Sequence, residues 1–151
     1  MNSLKSLLND PEFSGQVPYA VEHYKAGNII LEEDDEGRDF YLILQGEVHV
    51  KTYIEEKIGT NATGLARLGE DDLFGELSMF DGEPRSAQVT AASDCTVIRF
   101  DGPKMIQYMD CHPEKGYSVL RDMFVRLITH MRKSTIRSKT VLQMYYTEQA
   151  F

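Results

Sequence analysis

A glycine, a carboxylate and an arginine lie within eleven residues of one another near the middle of the chain. The stretch runs from Leu73-Phe74-Gly75-Glu76-Leu77-Ser78 to Pro84-Arg85-Ser86-Ala87. Backbone N–H groups at the start of a short helical turn can cradle a phosphate, and an arginine offers it a planar, permanently charged fork. A glutamate can accept a hydrogen bond from a sugar hydroxyl. These residues therefore predict a site for a small anion that also carries hydroxyl groups.

Charge is unevenly spread along the chain, whose net charge is −8. Residues 28–83 hold fifteen acidic side chains against four basic ones. This excess of negative charge disfavours general nucleic-acid binding, so no direct DNA contact is expected. An anionic ligand needs a local cation there, for which Arg85 is the obvious candidate. The bases of residues 121–139 are spaced along a predicted helix and are interpreted as a solvated face, with a DNA- or membrane-binding role as the alternative.

Composition indicates one globular domain. The chain has 151 residues, 42% of them apolar, which is enough to bury a core. No window approaches the ~18 apolar residues of a membrane span, and the N-terminus lacks the apolar core of a secretory signal. Cys95 and Cys111 form no CxxC pair and are expected to be free thiols. The expected location is the cytoplasm, without a membrane partner.

The elements that must position the anion site are short strands between helical ends. Residues 1–25 predict a lead-in of short helical pieces, interrupted by Pro11, Gly15 and Pro18. Residues 26–110 predict a β-roll of short runs with period-two alternation, which is typical of a sandwich or small barrel. The expected strands are residues 28–31, 40–44, 46–54, 65–68, 87–91 and 95–100, with a hairpin tip at 59–64.

Residues 113–146 predict one long helix. One face carries residues at spacings of three and four, namely Leu120, Phe124, Leu127, Met131, Ser134, Ser138, Val141 and Tyr145. Thirty or so helical residues span about 45 Å, longer than one small barrel needs. Part of the helix is therefore expected to pack against a second copy. The polar break at Ser134, Thr135 and Ser138 either faces a polar ligand or fixes the register of the helix pair.

Four segments follow one another in a distinctive order and spacing. They are Tyr24-Lys25-Ala26-Gly27-Asn28-Ile29-Ile30, Asp35-Glu36-Gly37-Arg38-Asp39-Phe40-Tyr41-Leu42-Ile43-Leu44-Gln45-Gly46-Glu47-Val48, Leu68-Gly69-Glu70-Asp71-Asp72-Leu73-Phe74-Gly75-Glu76-Leu77 and Pro84-Arg85-Ser86-Ala87. Over residues 26–135 or so the chain resembles the cyclic nucleotide-binding domain family. That family includes the sensor domains of the catabolite activator protein, of regulatory subunits of cyclic-nucleotide-dependent kinases and of gated channels.

The resemblance implies a fold that is mainly β with flanking helices: an eight-stranded jelly-roll barrel followed by a long C-terminal helix. It also implies that residues 73–87 form a phosphate-binding cassette. In that cassette Gly75 allows close backbone approach, Glu76 receives the ribose 2′-hydroxyl and Arg85 pairs with the cyclic phosphate. The other implied contacts are the main chain of Leu77 and Ser78, the hydroxyl of Ser86 and the small side chain of Ala87.

The resemblance also implies a ligand and a base-capping position on the long helix. Ser86 resembles the corresponding serine of bacterial cAMP-sensing activators, which favours cAMP over cGMP. Ser134 and Thr135 best match the residues that cap the base, with Thr129 and His130 as the alternative in a register one turn away.

Enzymatic chemistry is not indicated. A jelly roll also hosts metalloenzymes, but their metal sites need clustered histidines, and the four histidines of this chain are isolated in the sequence. No serine lies in a Gly-x-Ser-x-Gly elbow. Cys111 beside His112 is interpreted as the entry to a helix. We therefore expect no metal, cofactor or catalytic residue.

Together these observations predict a stand-alone, non-enzymatic sensor that binds a cyclic mononucleotide. It is expected to dimerise through its last helix and to signal to a separate effector protein, because no second domain is attached. One alternative is a ligand-independent interaction module in which Glu76 and Arg85 form a structural ion pair. The other is a fragment of a larger cyclic-nucleotide-regulated protein.

Overall fold

The computed structural model describes residues 2–52 and 66–150. The elements in chain order are α1 (Asn2–Leu7), α2 (Pro11–Gln16), β1 (Tyr19–Tyr24), β2 (Ile29–Leu31), β3 (Phe40–Gln45), β4 (Val48–Lys51), β5 (Ala66–Leu68), β6 (Leu73–Phe74), α3 (Glu76–Asp81), β7 (Gln88–Ala91), β8 (Cys95–Phe100), α4 (Gly102–Cys111) and α5 (Pro113–Gln149). The hairpin tip predicted at residues 59–64 lies outside the described residues.

The strands form two antiparallel sheets of four strands each. One sheet has the order β1-β8-β3-β6 and the other the order β2-β7-β4-β5. The prediction of a β body followed by a long C-terminal helix is confirmed. Among the strands that the structure describes, no pairing links one sheet to the other, so they form two layers and not a closed barrel.

Strand β3 is buried on both faces and separates two cores. Phe40 and Leu42 face a core shared with the helices, whereas Tyr41 and Ile43 face the second sheet. This alternation follows from the two-residue period of a strand. Aromatic stacking strengthens both cores, since Phe40 stacks on Phe100 and Tyr41 on Phe74, each with ring centroids 4.8 Å apart. The apolar run at residues 40–44 was a clear strand signal for this reason.

The predicted helical lead-in of residues 1–25 is wrong for its last part. Residues 19–24 form β1, which pairs with β8 along its whole length, from Tyr19 opposite Phe100 to Tyr24 opposite Cys95. Pro18 ends the helical part because it cannot continue a ladder of backbone hydrogen bonds. The pairing partner lies more than seventy residues away in the sequence, so local pattern alone did not favour a strand.

Helix α4 was missed, because residues 26–110 were all expected to belong to the β-roll. Its start is nevertheless encoded locally: the Asp101 carboxylate accepts a hydrogen bond from Lys104 N at 2.9 Å, and Pro103 occupies the first turn. Met105 and Tyr108 of α4 are fully buried against the helical core. Helix α4 thereby closes the outer face of the β1-containing sheet.

Helix α5 has 37 residues and so is about 55 Å long. His112 separates it from α4, and Gly116 lets the two helices pack closely, since a Cβ there would lie 2.8 Å from the carbonyl oxygen of Met109. The first half packs on the body through Val119 and Met123. All side chains from Met131 to Ala150 are exposed. None of the described helices is both long and apolar enough to cross a bilayer.

Candidate anion-binding site

Helix α3 follows a glycine that cannot be replaced without strain. Gly75, its N-cap, has a φ of 83°, a left-handed conformation that favours glycine. A Cβ at this position would lie 3.0 Å from Arg85 Nη1 and 3.0 Å from the carbonyl oxygen of Asp39. Gly75 therefore permits both the sharp turn into α3 and the close approach of the arginine, while the close approach of its backbone to a ligand stays a prediction.

Arg85 is a buried cation without a carboxylate partner in the described part of the chain. Its residue surface is 5% exposed, and Nη1 donates to the carbonyl oxygen of Gly75 at 2.9 Å. No ion pair within 4 Å joins it to any described Asp or Glu. Buried charges in proteins are normally paired. The guanidinium thus keeps its capacity to bind an anion.

The main chain of Arg85 is fixed from the opposite side by the β2–β3 loop. Arg85 N donates to the carbonyl oxygen of Asp35 at 2.8 Å, and Asp34 N donates to the carbonyl oxygen of Arg85 at 2.9 Å. These two hydrogen bonds join segments fifty residues apart. The position of the cation is therefore set by long-range pairing and not by the cassette alone.

A cavity of about 150 Å³ lies between α3, the β2-containing sheet and α5. All seven cassette residues that the sequence singled out line it, namely Gly75, Glu76, Leu77, Ser78, Arg85, Ser86 and Ala87. Apolar side chains, among them Leu31, Leu68 and Val89, form the rest of its wall. The structure therefore brings one cation, one carboxylate and an apolar surface to a single concave site.

Glu76 is the first residue of α3, and its surface is partly exposed. Burial raises the pKa of its carboxyl, while a hydrogen bond from its own backbone N–H and the positive charges of Arg126 and Arg85 partly oppose this shift. The guanidinium of Arg126 itself pairs with the carboxylate of Asp72. Glu76 and Arg85 form no ion pair with each other in the described structure, which disfavours the interpretation that they are merely a structural pair.

The structure does not bring Ser134 and Thr135 to the cavity. Both are exposed, and the Thr135 hydroxyl donates to the carbonyl oxygen of Met131 at 3.0 Å. His130, from the alternative register, lines the cavity, whereas Thr129 is exposed. Ser134 lies one helical turn beyond His130, where α5 has already left the body.

The loop that holds the main chain of Arg85 was not predicted from the sequence. Residues 35–37 belong to one of the four segments that carry the family resemblance, but the contact of this loop with Arg85 depends on the pairing of β2 with β7. The Arg126–Asp72 ion pair was missed for a similar reason, because it joins α5 to the turn before β6. Across residues 2–52 and 66–150, no group of three or more His, Cys, Asp and Glu residues could hold a metal ion.

Comparison with known proteins now identifies the fold family. The family model described as "Cyclic nucleotide-binding domain" matches residues 21–112. The chain belongs to the cyclic nucleotide-binding domain family. The matched range contains the whole cassette and ends at His112, so α5 lies beyond it. The resemblance found in the sequence is thereby confirmed.

Two curated relatives of this cyclic nucleotide-binding domain are regulators by name. The cAMP-dependent protein kinase regulatory subunit of Eremothecium gossypii is 35% identical over 97 residues, which are 64% of this chain and 20% of that protein. The CRP-like cAMP-activated global transcriptional regulator of Mycobacterium tuberculosis is 28% identical over 109 residues, 69% of this chain and 45% of that protein. The chain spans between 8% and 45% of the length of these and other curated relatives.

Solved structures agree with this assignment. A cyclic nucleotide-binding domain from Methylobacillus flagellatus has a TM-score of 0.69 and 29% identity, over 79% of this chain and 65% of that chain. The N-terminal domain of a transcriptional regulator from Streptomyces coelicolor has a TM-score of 0.59 and 26% identity, over 83% and 87% of the two chains.

Proposed function

We propose that this cyclic nucleotide-binding domain is a non-enzymatic cytoplasmic sensor that binds a cyclic mononucleotide, cAMP in preference to cGMP. The single observation that carries the proposal is the buried guanidinium of Arg85, which lies in the wall of the cavity and has no carboxylate partner among the described residues. The names of two relatives, one cAMP-dependent and one cAMP-activated, support the choice of ligand.

The charge of a cyclic nucleotide fits this site. A cyclic phosphodiester carries one negative charge that is not protonated near neutral pH, so it needs one cation and several N–H donors, and no metal. Arg85 supplies the cation, and the first N–H groups of α3 add donors. A charge-assisted hydrogen bond of this kind contributes about 1.5–3 kcal/mol.

Glu76 and His130 lie where the rest of a nucleotide would reach. The carboxylate of Glu76 lines the same cavity as Arg85 and can accept a hydrogen bond from the ribose 2′-hydroxyl. The imidazole of His130 lines it from α5 and is the candidate for contact with the base. This geometry supports the register that places His130, and not Ser134 or Thr135 of the same chain, beside the ligand.

Signalling is proposed to occur by population shift. The cavity of about 150 Å³ is smaller than the ~300–1,000 Å³ of typical ligand pockets. A nucleotide therefore requires the walls to separate, and α5 contributes one of them. A ligand that contacts both the cassette and α5 favours the arrangement in which both contacts form. The effector protein would read the position of α5.

Dimerisation is proposed to use the exposed stripe of α5. Apolar residues along it include Tyr117, Phe124, Ile128, Met131, Leu142 and Tyr145. Phe124, Ile128 and Met131 follow one another at spacings of four and three, and Tyr145 follows Leu142 by three, as in a coiled-coil seam. Phe124, Met131 and Leu142 are 58%, 60% and 54% exposed. We also propose the jelly-roll arrangement of the two sheets, which is supported by their strand orders.

Isothermal titration calorimetry of the full chain against cAMP, cGMP and cyclic dinucleotides tests the ligand. We expect cAMP to bind with micromolar or tighter affinity. Arg85→Ala removes the cation, so we expect a loss of about tenfold to 150-fold. Arg132→Ala removes an equal charge from an exposed site on α5 and should leave affinity unchanged.

Failure of the wild-type chain to bind any of these nucleotides would overturn the proposal. Retention of full affinity in Arg85→Ala would also contradict it, because the buried cation would then play no part.

A further inference from the structure

We propose that Gly37, Arg38 and Asp39, three consecutive residues of the β2–β3 loop, are positioning residues for the anion site. They hold the guanidinium of Arg85 and both ends of α3 in place; we call them the 37–39 clamp. The inference rests on the proposed function, since it concerns the same site. None of the three residues is expected to touch the ligand.

Gly37 packs directly against the guanidinium. A Cβ on Gly37 would lie 3.0 Å from Nη2, 3.2 Å from Nε and 3.4 Å from Cζ of Arg85. The absence of a side chain at position 37 therefore allows the loop backbone to lie against one edge of the guanidinium. Gly75 lies against the Nη1 side and accepts a hydrogen bond from it. The cation is thus held between two glycines.

Arg38 lies at the C-terminal end of α3. A Cβ on Gly82, the C-cap, would lie 3.1 Å from Nη2 of Arg38. The last carbonyl groups of a helix carry partial negative charge, which a nearby cation stabilises. The carbonyl group of Arg38 packs tightly against Gly102 at the start of α4. The loop is therefore supported from behind by a second helix.

Asp39 lies at the other end of the same helix. Its carbonyl oxygen would lie 3.0 Å from a Cβ on Gly75, the N-cap of α3. Three consecutive residues thus touch the N-cap of α3, the C-cap of α3 and the side chain of Arg85. The main-chain hydrogen bonds of Asp34 and Asp35 to Arg85 link the same loop to the arginine backbone.

The loop holds Arg85 without neutralising it. Residues 32–36 are all acidic, yet none forms an ion pair with Arg85 in the described structure. Its contacts with the arginine come from backbone groups and from the space left by Gly37. A carboxylate in direct contact would compete with an anionic ligand. Backbone contacts fix the cation while its charge stays available.

A double-mutant cycle tests the clamp, with cAMP affinity measured by calorimetry on the full chain. Gly37→Ala should weaken binding by about tenfold, because the new methyl group displaces the guanidinium. Lysine has neither Nε nor Nη2, so in an Arg85→Lys background the same substitution should weaken binding less than about twofold. Gly15→Ala is the matched control, since a Cβ there meets nothing within 4 Å.

The Nε–H resonance of Arg85 in NMR spectra of the free protein is a second readout. It should shift in Gly37→Ala and in Arg38→Met and stay in place in Gly15→Ala and Arg132→Met. Arg38→Met keeps the aliphatic stem and should weaken cAMP binding by about threefold. Thermal unfolding of each variant shows that it is folded.

These readouts separate the two proposals. If the wild-type chain binds no cyclic nucleotide, the proposed function fails and the clamp is judged by the Arg85 resonance alone. An unshifted resonance in Gly37→Ala overturns the clamp in every case. Equal loss of affinity from Gly37→Ala in the wild-type and Arg85→Lys backgrounds also overturns it, because the effect would then not pass through the guanidinium.

Discussion

The carboxylate of Glu76 can accept a hydrogen bond from an uncharged donor such as a ribose hydroxyl. Two arginines lie near enough to influence its pKa, but burial outweighs them and raises it. Arg126 is engaged by Asp72 and Arg85 by Gly75. Neither arginine forms an ion pair with Glu76, whose own backbone N–H is the donor to its carboxylate in the free protein, and a ribose hydroxyl would supply a further donor.

Glu76→Gln should stabilise the free protein near neutral pH and weaken nucleotide binding. Because the folded-state pKa is raised above its ordinary value of 4.5, the wild-type carboxyl loses stability as pH rises through that raised pKa. Glutamine carries no charge, so we expect Glu76→Gln to be more stable than the wild type at pH 7. Urea unfolding at pH 7 and pH 4 measures it.

The gain should largely disappear at pH 4, where the wild-type carboxyl is mostly protonated in both the folded and the unfolded state. A gain of equal size at both pH values would show that burial of the charge is not its cause. Calorimetry with cAMP then tests the accompanying loss of affinity.

At the scale of elements, the junction between α4 and α5 is fastened to α2 by His112. Its Nδ1 lies 3.0 Å from the carbonyl oxygen of Tyr108, and its Nε2 lies 2.9 Å from Oε1 of Glu12. Both partners can only accept, so both hydrogen bonds form only when the imidazole is doubly protonated. Lys115 binds Asp10 at 2.7 Å beside it. The hydrogen bond to Glu12 accordingly raises the pKa of His112.

The fastening of α5 should weaken at alkaline pH. A folded-state pKa above the ordinary 6.5 means that His112 stabilises the fold fully below pH 6.5 and loses this effect as pH rises through the raised pKa. His112→Gln should therefore destabilise the protein at pH 6 and much less at pH 9. Unfolding by urea at a series of pH values measures this, and NMR titration of His112 reports the pKa directly.

Glu12→Gln provides the control, because it removes the carboxylate and leaves the histidine. In that variant the pKa of His112 should fall towards its usual value, and His112→Gln should cost less at pH 6. An unchanged pKa in Glu12→Gln would rule out the Glu12 contact as its cause.

The elements differ in how far the sequence could predict them. Strands β3 and β8 were predicted because their apolar runs are long, and α5 because its pattern repeats over many turns. Strand β6 has two residues, and β1 is defined by its distant partner β8, so neither has a local signal. In the site, the cassette residues were found because they are close in sequence, whereas Gly37 contacts Arg85 only after β2 pairs with β7.

For the whole molecule, the stripe of exposed apolar side chains on α5 is the feature that calls for a packing partner. The N-terminal half of α5 is held on the body by Asp122, which binds Ser3, and by Arg126, which binds Asp72. Beyond Met131 the side chains of the helix are exposed. A helix with exposed Leu142 and Tyr145 loses solvent-exposed apolar area if it pairs with a second copy.

Leu142→Glu should convert the proposed dimer to a monomer. It places a charge in the seam, where two copies would meet, and removes buried apolar area. Gln143→Glu adds the same charge at the next position, outside the stripe, and should leave the dimer intact. Sedimentation velocity of the three proteins measures the mass. A wild-type monomer, or equal dissociation of both variants, would contradict pairing through this stripe.

Because a single residue, His112, joins α4 to α5, a small rotation there would move α5 as a lever arm. His112 is the pivot, and the arm is α5, which extends about 55 Å from it to Gln149 and is packed on the body along its first half. His130 lies about 27 Å along that arm. A rotation of about 10° would move the cavity wall by about 5 Å and the far tip by about 10 Å. Such a rotation would have to release the Ser3–Asp122 and Arg126–Asp72 contacts. The displacement at the C-terminal tip of α5, where another protein could bind, would then be about twice the displacement at the cavity wall.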